Sequence, residues 1–128
     1  MLFPFLILRV WILQSSSSSF DVHQVGSAAD ALRAGEAEGA DILIVDPPRK
    51  GLEPDVLACL CDPSDPQADS VHTLVYVSCG FEALAWQLPQ LVEHGGWRLD
   101  HSEGFALFPG SDHIEILCVL RRTPLAPN

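Results

Sequence analysis

From Phe20 onward, short apolar runs alternate with segments of helical periodicity. The clearest strand is "DILIV" at 41–45, where Ile42 to Val45 form an unbroken apolar run of the kind buried on both faces of a central strand. Pro47 and Pro48 end it, because proline fixes φ and has no N–H for a ladder. "TLVYVS" at 73–78 is a second buried strand, and "FDVHQV" at 20–25 a shorter candidate. "SAADALRAGEAEG" predicts a helix capped by Ser27 and stopped by Gly39. Pro54 suits the first turn of a helix reaching about Cys61, with Val56, Leu57 and Leu60 on one face. Phe81, Leu84, Ala85, Leu88, Leu91 and Val92 mark a third helix, which Pro89 should kink or shorten and Gly95-Gly96 should end. "CDPSDPQADS" reads as a mobile polar loop. "WRLDHSE" and "HIEILCVLRR" are the last two strands. The loop between them, with Phe108, Pro109 and Gly110, is too short for a crossover helix, so they should pair antiparallel.

This order implies an α/β fold: the second half of a doubly wound sheet, with an antiparallel last strand pair. At 128 residues the chain fits one domain but is small for a complete doubly wound enzyme. Residues 1–19, apolar for about a dozen positions and then serine-rich, are too short to span a bilayer, and no basic region precedes them as in a secretory signal. They read as an extension before a domain at 20–122, with a tail at 123–128; a targeting peptide or a strand borrowed into the sheet are the other readings. Seventeen acidic against seven basic residues give a net charge of −10, the wrong sign for a surface that holds phosphates by itself. Cys59, Cys61, Cys79 and Cys118 lack the spacing of a disulfide framework or a zinc site and read as free thiols in a reducing compartment.

Three polar residues stand at comparable places: Asp46 after one buried strand, Cys79 after the next, and Glu115 near the start of the last. Thirty-three positions separate the first two and 36 the second pair, so only a folded sheet can gather them. Taken singly, each has a plain structural reading: a solvated acid, a core cysteine, an outward strand residue.

Together, "DPPRKGL", "VYVSC" and "LFPGSDHIE" resemble the catalytic end of the RNA uracil-5-methyltransferases, over roughly residues 41–122. The resemblance implies a partial Rossmann-like methyltransferase fold, S-adenosylmethionine as methyl donor, and tRNA or rRNA as partner. It makes Cys79 the nucleophile and Glu115 the general base, and it places Asp46 beside the donor methyl. Cys79, at the mouth of a helix, should be favoured as thiolate by the helix dipole. Arg49 is read as holding a phosphate or the uracil edge, or as a solvated loop cation; His113 as orienting the site, or as a polar strand residue; and Lys50 as surface.

The family usually has Asn-Pro after the cysteine and an Arg-Asp pair further along that helix, where this chain has Gly80-Phe81 and Trp86-Gln87. No glycine-rich strand-turn-helix precedes these elements, so the alternative is an inactive fragment or interaction module that keeps the fold without binding the donor. An adenine-N6 methyltransferase is disfavoured, since Arg49 replaces the stacking aromatic of its loop. In the family's sheet the earlier strands lie between "FDVHQV" and "DILIV". Without them a hydrophobic edge is open to self-association, unless residues 3–13 cover it.

Overall fold

The computed structural model describes residues 27–106, 110 and 114–123, and the backbone of 9–13 and 20–23. Among these, six strands form one mixed sheet: β1 (Arg9–Leu13), β2 (Phe20–His23), β3 (Ile42–Asp46), β4 (Thr73–Ser78), β5 (Arg98–Phe105) and β6 (Glu115–Arg121), in spatial order β2-β1-β3-β4-β6-β5. The helices are α1 (Ala28–Arg33), α2 (Pro54–Leu60) and α3 (Phe81–Gly95). β3 and β4 are parallel and joined through α2, while β6 runs antiparallel to β4 and also to β5, the latter as the short last connection requires. No helix among the described residues is long and apolar enough to cross a membrane.

The edge of β3 is taken by the chain itself. β1 pairs antiparallel with it from Arg9 opposite Asp46 to Leu13 opposite Ile42, and β2 pairs antiparallel on the far side of β1. β2 therefore runs parallel to β3, with β1 filling the place between them. Removing residues 1–19 should strip β3 of its partner and leave an apolar edge that templates association. Sedimentation of the shortened chain is expected to show aggregates; a soluble, cooperatively unfolding monomer would refute this role of β1.

Several elements depart from the sequence expectation. β3 is not buried on both faces: Leu43 and Val45 are buried, whereas Ile42 and Ile44 are half-buried, and β4 alternates similarly. The buried cluster joins one sheet face to Ala29 and Leu32 of α1, Val56 and Leu60 of α2, and Leu84 and Leu91 of α3. α1 is capped by Ser27, whose Oγ accepts from the Asp30 N–H at 3.1 Å, but it stops well before Gly39. Gly35 adopts φ +79° directly after the Ala34 cap, and the Gly35 and Glu36 amides donate back to Leu32 and Ala31. This glycine ends the helix by closing off its last carbonyls.

α3 runs unbroken through Pro89. Both Pro89 and Ala85, whose carbonyl loses its usual donor, lie on the exposed side where water can replace the bond. The loop expected to be mobile is instead tied down. Arg122, only 8% exposed, donates from Nη2 to the Ala68 carbonyl at 2.7 Å and from Nε to that of Val71 at 3.0 Å.

Candidate active site

The ladder registers gather the three separated residues at one edge of the sheet. Ser78 is opposite Ile116 across the β4–β6 pair, so the next positions along that pair are Cys79 and Glu115. On the other side of β4, Val45 is opposite Tyr76, so Asp46 is level with Val77, two residues before the cysteine. Neighbouring strands lie about 4.8 Å apart, which turns sequence separations of more than thirty residues into adjacent places.

Cys79 is half-buried and held by its neighbours' backbone. The Ser78 hydroxyl donates to the Gly80 carbonyl and accepts from the Gly80 amide, both at 3.1 Å, fixing the turn that presents the thiol. Gly80 is the N-cap of α3, and its α-carbon packs on the backbone of Arg49: a Cβ there would lie 2.9 Å from the Arg49 carbonyl carbon and closer still to its oxygen. Glycine after the cysteine thus lets the acidic-proline loop touch the turn that carries Cys79, a contact that a branched or amide side chain would force apart. In the sequence Gly80 stands out only as a departure from the family's Asn-Pro, and the available signal for this turn is the Ser78 hydroxyl two residues before it.

Arg49, exposed, lines a cavity of about 600 Å3 with Cys79, Phe81, Ile114 and Ile116. Glu115 is half-buried at the start of β6, and Lys50 is exposed. His113 lies outside the described residues. Among the described residues no group of three or more His, Cys, Asp or Glu is gathered as a metal site needs.

No protein-family model matches the chain. It is 40% identical over 110 residues to an uncharacterized RNA methyltransferase of Protochlamydia amoebophila, covering 86% of this chain and 26% of that protein. It is 38% identical over 104 residues to the 23S rRNA (uracil(1939)-C(5))-methyltransferase of Chromohalobacter salexigens, covering 79% of this chain and 20% of that one. Among solved structures, the Pyrococcus abyssi tRNA (uracil-54, C5)-methyltransferase in complex with S-adenosyl-L-homocysteine matches with a TM-score of 0.51 at 34% identity, over 65% of this chain and 19% of that one. The chain belongs to the RNA methyltransferase family that includes these uracil-C5 enzymes. It spans about a quarter or less of the length of these relatives.

At this sheet edge the thiol is not poised as the helix dipole alone suggests. Burial pushes the Cys79 pKa up, the charges of Glu115 and then Asp46 push it further, and a hydrogen bond to its own backbone and the Arg49 guanidinium pull the other way. The net direction is upward, because two carboxylates and desolvation outweigh one cation at the helix mouth. All four cysteines are free thiols. Burial raises Cys59 to about 12 and Cys118 also upward, and both are buried, unlike Cys79.

Brief iodoacetamide treatment is therefore expected to modify Cys79 before Cys59 and Cys118. Glu115→Gln, and less strongly Asp46→Asn, should speed Cys79 modification severalfold at fixed pH below its pKa. Each removes a negative charge, lowers the thiol pKa and raises the thiolate fraction. Peptide mass spectrometry ranks the rates. Slower or unchanged modification in both variants would contradict the electrostatic arrangement of this edge.

Proposed function

We propose that residues 20–122 are the catalytic end of an S-adenosylmethionine-dependent RNA uracil-5-methyltransferase acting on tRNA or rRNA, with residues 1–19 as an extension and 123–128 as a tail. The observation that carries this reading is the convergence of Asp46, Cys79 and Glu115 at one sheet edge, through the β3–β4 and β4–β6 registers.

Carbon 5 of uracil is a weak nucleophile. The Cys79 thiolate forms a bond to carbon 6, and the electron pair of the 5,6 double bond moves into an enolate with density on carbon 5. The donor supplies an electrophilic methyl group, whose bond to sulfur breaks as carbon 5 takes it. Glu115 then accepts the carbon-5 proton, the 5,6 double bond re-forms and Cys79 leaves as thiolate. A thiol whose pKa is raised rests protonated, so a cation arriving beside Asp46 and Glu115 would favour the nucleophile.

The residues present suit the reacting end of the donor. A sulfonium is a cation, and the half-buried Asp46 carboxylate at the end of β3 is an appropriate neighbour for it. Arg49, at the rim of the cavity beside Cys79, offers a fork of donors to a phosphate or to the uracil edge. With a net charge of −10, the rest of the RNA grip falls to elements beyond this segment of the relatives' length.

Calorimetric titration of S-adenosylmethionine into the purified chain tests the reading. Heat of binding at micromolar affinity supports a working donor site. The absence of heat would favour a module that keeps the fold elements without binding the donor.

A further inference from the structure

The loop that follows Asp46 and carries Arg49 is held at its far end by a buried amide. Gln87 on α3 is only 4% exposed. Its Nε2 donates to the Leu52 carbonyl at 3.1 Å, and its Oε1 accepts from the Leu52 amide at 3.0 Å and from the Tyr76 hydroxyl at 2.7 Å. The first two bonds clasp one residue's backbone from both sides, as a neighbouring strand would. The third comes from a fully buried tyrosine on β4 and fixes which way the amide faces. Gly51 completes the seat. It adopts φ +85°, its amide closes a turn on the Pro48 carbonyl at 2.8 Å, and a Cβ there would lie 2.6 Å from the Gln87 oxygen.

The middle of the same loop rests on the start of the same helix, where Arg49 meets Gly80. The segment from Asp46 to Leu52 is therefore pinned twice to α3, the helix that begins directly after Cys79.

We propose that Gln87, oriented by Tyr76, is a positioning residue that sets the acidic-proline loop, and with it Asp46 and Arg49, at a fixed place relative to Cys79. The proposal deepens the methyltransferase reading and rests on it for its purpose, but its geometry stands in the free chain. An amide suits the task because it both donates and accepts toward Leu52; a carboxylate could only accept, and an apolar side chain would leave two buried backbone groups unpaired.

The test uses the whole chain without RNA or donor. Gln87→Met, which keeps length and volume, is expected to speed amide exchange at Leu52 by about tenfold, as a clasped segment opens locally. Cys79 carboxamidomethylation should quicken by about threefold, because the loop that packs on the turn carrying the thiol, directly after Asp46, loosens. Tyr76→Phe keeps the clasp but frees its orientation, and is expected to change both rates in the same direction by less. Arg122→Met destabilises the chain at the opposite end of β6 and is expected to leave the Cys79 rate unchanged, which separates positioning from stability.

Wild-type exchange and Cys79 rates in Gln87→Met would overturn the proposal, as would an equal acceleration in Arg122→Met. Should Gln87→Met not fold, unchanged rates in Tyr76→Phe would overturn it alone. Because neither readout involves methyl transfer, failure here leaves the proposed function standing, and a silent donor titration leaves this positioning role standing.

Discussion

Cys79→Ala is expected to abolish both covalent RNA adducts and methylation in a chimera where residues 41–122 replace the matching segment of a full-length relative. Without the thiolate no enolate forms, and the donor methyl has no nucleophile to meet. Glu115→Gln should fail differently. Methyl transfer precedes removal of the carbon-5 proton, so the amide variant can add to the base and methylate it, then stall because nothing accepts the proton. A positioned base contributes roughly 100- to 10,000-fold, so turnover should fall by that order while a protein–RNA complex resistant to denaturing electrophoresis accumulates. The same Glu115→Gln change is expected to make the free thiol more reactive, since a carboxylate that raises its pKa is gone. A variant with a quicker thiol and slower turnover would separate the two roles of that side chain. Normal turnover by Glu115→Gln, or adduct formation by Cys79→Ala, would contradict the assignment.

The second large effect is on stability. Arg122→Ala is expected to destabilise the chain by about 3 kcal/mol, as for buried, charge-assisted hydrogen bonds lost together. Its guanidinium lies 4.2 Å from the Trp97 ring centroid and donates to the carbonyls of Ala68, Val71 and, at 3.3 Å, Gly95. Trp97 in turn donates from Nε1 to the Leu60 carbonyl at 2.8 Å. One side chain thus joins the 62–71 loop, the end of α3 and the end of α2. Burial lowers the Arg122 pKa, so the fold bears a desolvation cost that these carbonyls and the indole face offset. Arg122→Lys should recover only part of the loss, because an ammonium cannot reach several carbonyls with a planar fork. Thermal unfolding should show Arg122→Ala melting on the order of 10 °C below the parent chain; a shift of under about 2 °C would show that the loop is held by other contacts.

How much of this was legible in the sequence depends on the range of the interaction. β3, β4, β6 and α2 were legible because apolar runs, a proline at the first turn and short connections are local signals. The covering of the β3 edge was legible from need: an open apolar strand beside one spare apolar segment. Helix ends were less so. Gly35 and Gly39 both adopt positive φ, and only the carbonyls that the Gly35 turn satisfies show which of them stops α1. One-sided burial of the sheet was hidden, because a run of apolar residues looks alike whether one face or both are covered.

At the site, the three candidate residues could be picked from their strand ends, and the family resemblance implies the roles proposed for them. Their mutual electrostatics could not be read: the upward push on Cys79 depends on Glu115 and Asp46 standing at the same edge. Gln87 and Arg122 gave no usable signal either. Their backbone partners lie 27 to 62 positions away and are groups that any residue type can supply.

Peptide mapping of a trapped complex tests the central claim most directly. RNA carrying 5-fluorouridine has no proton to lose at carbon 5, so with donor present the unmutated chimera should halt after methyl transfer, with its cysteine still bonded to the base. Mass spectrometry of the digested complex is expected to find the methylated fluorouridine nucleotide on the peptide containing Cys79. Its attachment to a peptide carrying Cys59, Cys61 or Cys118, or methylation of uridine RNA with no covalent species formed, would contradict Cys79 as the nucleophile of this sheet edge.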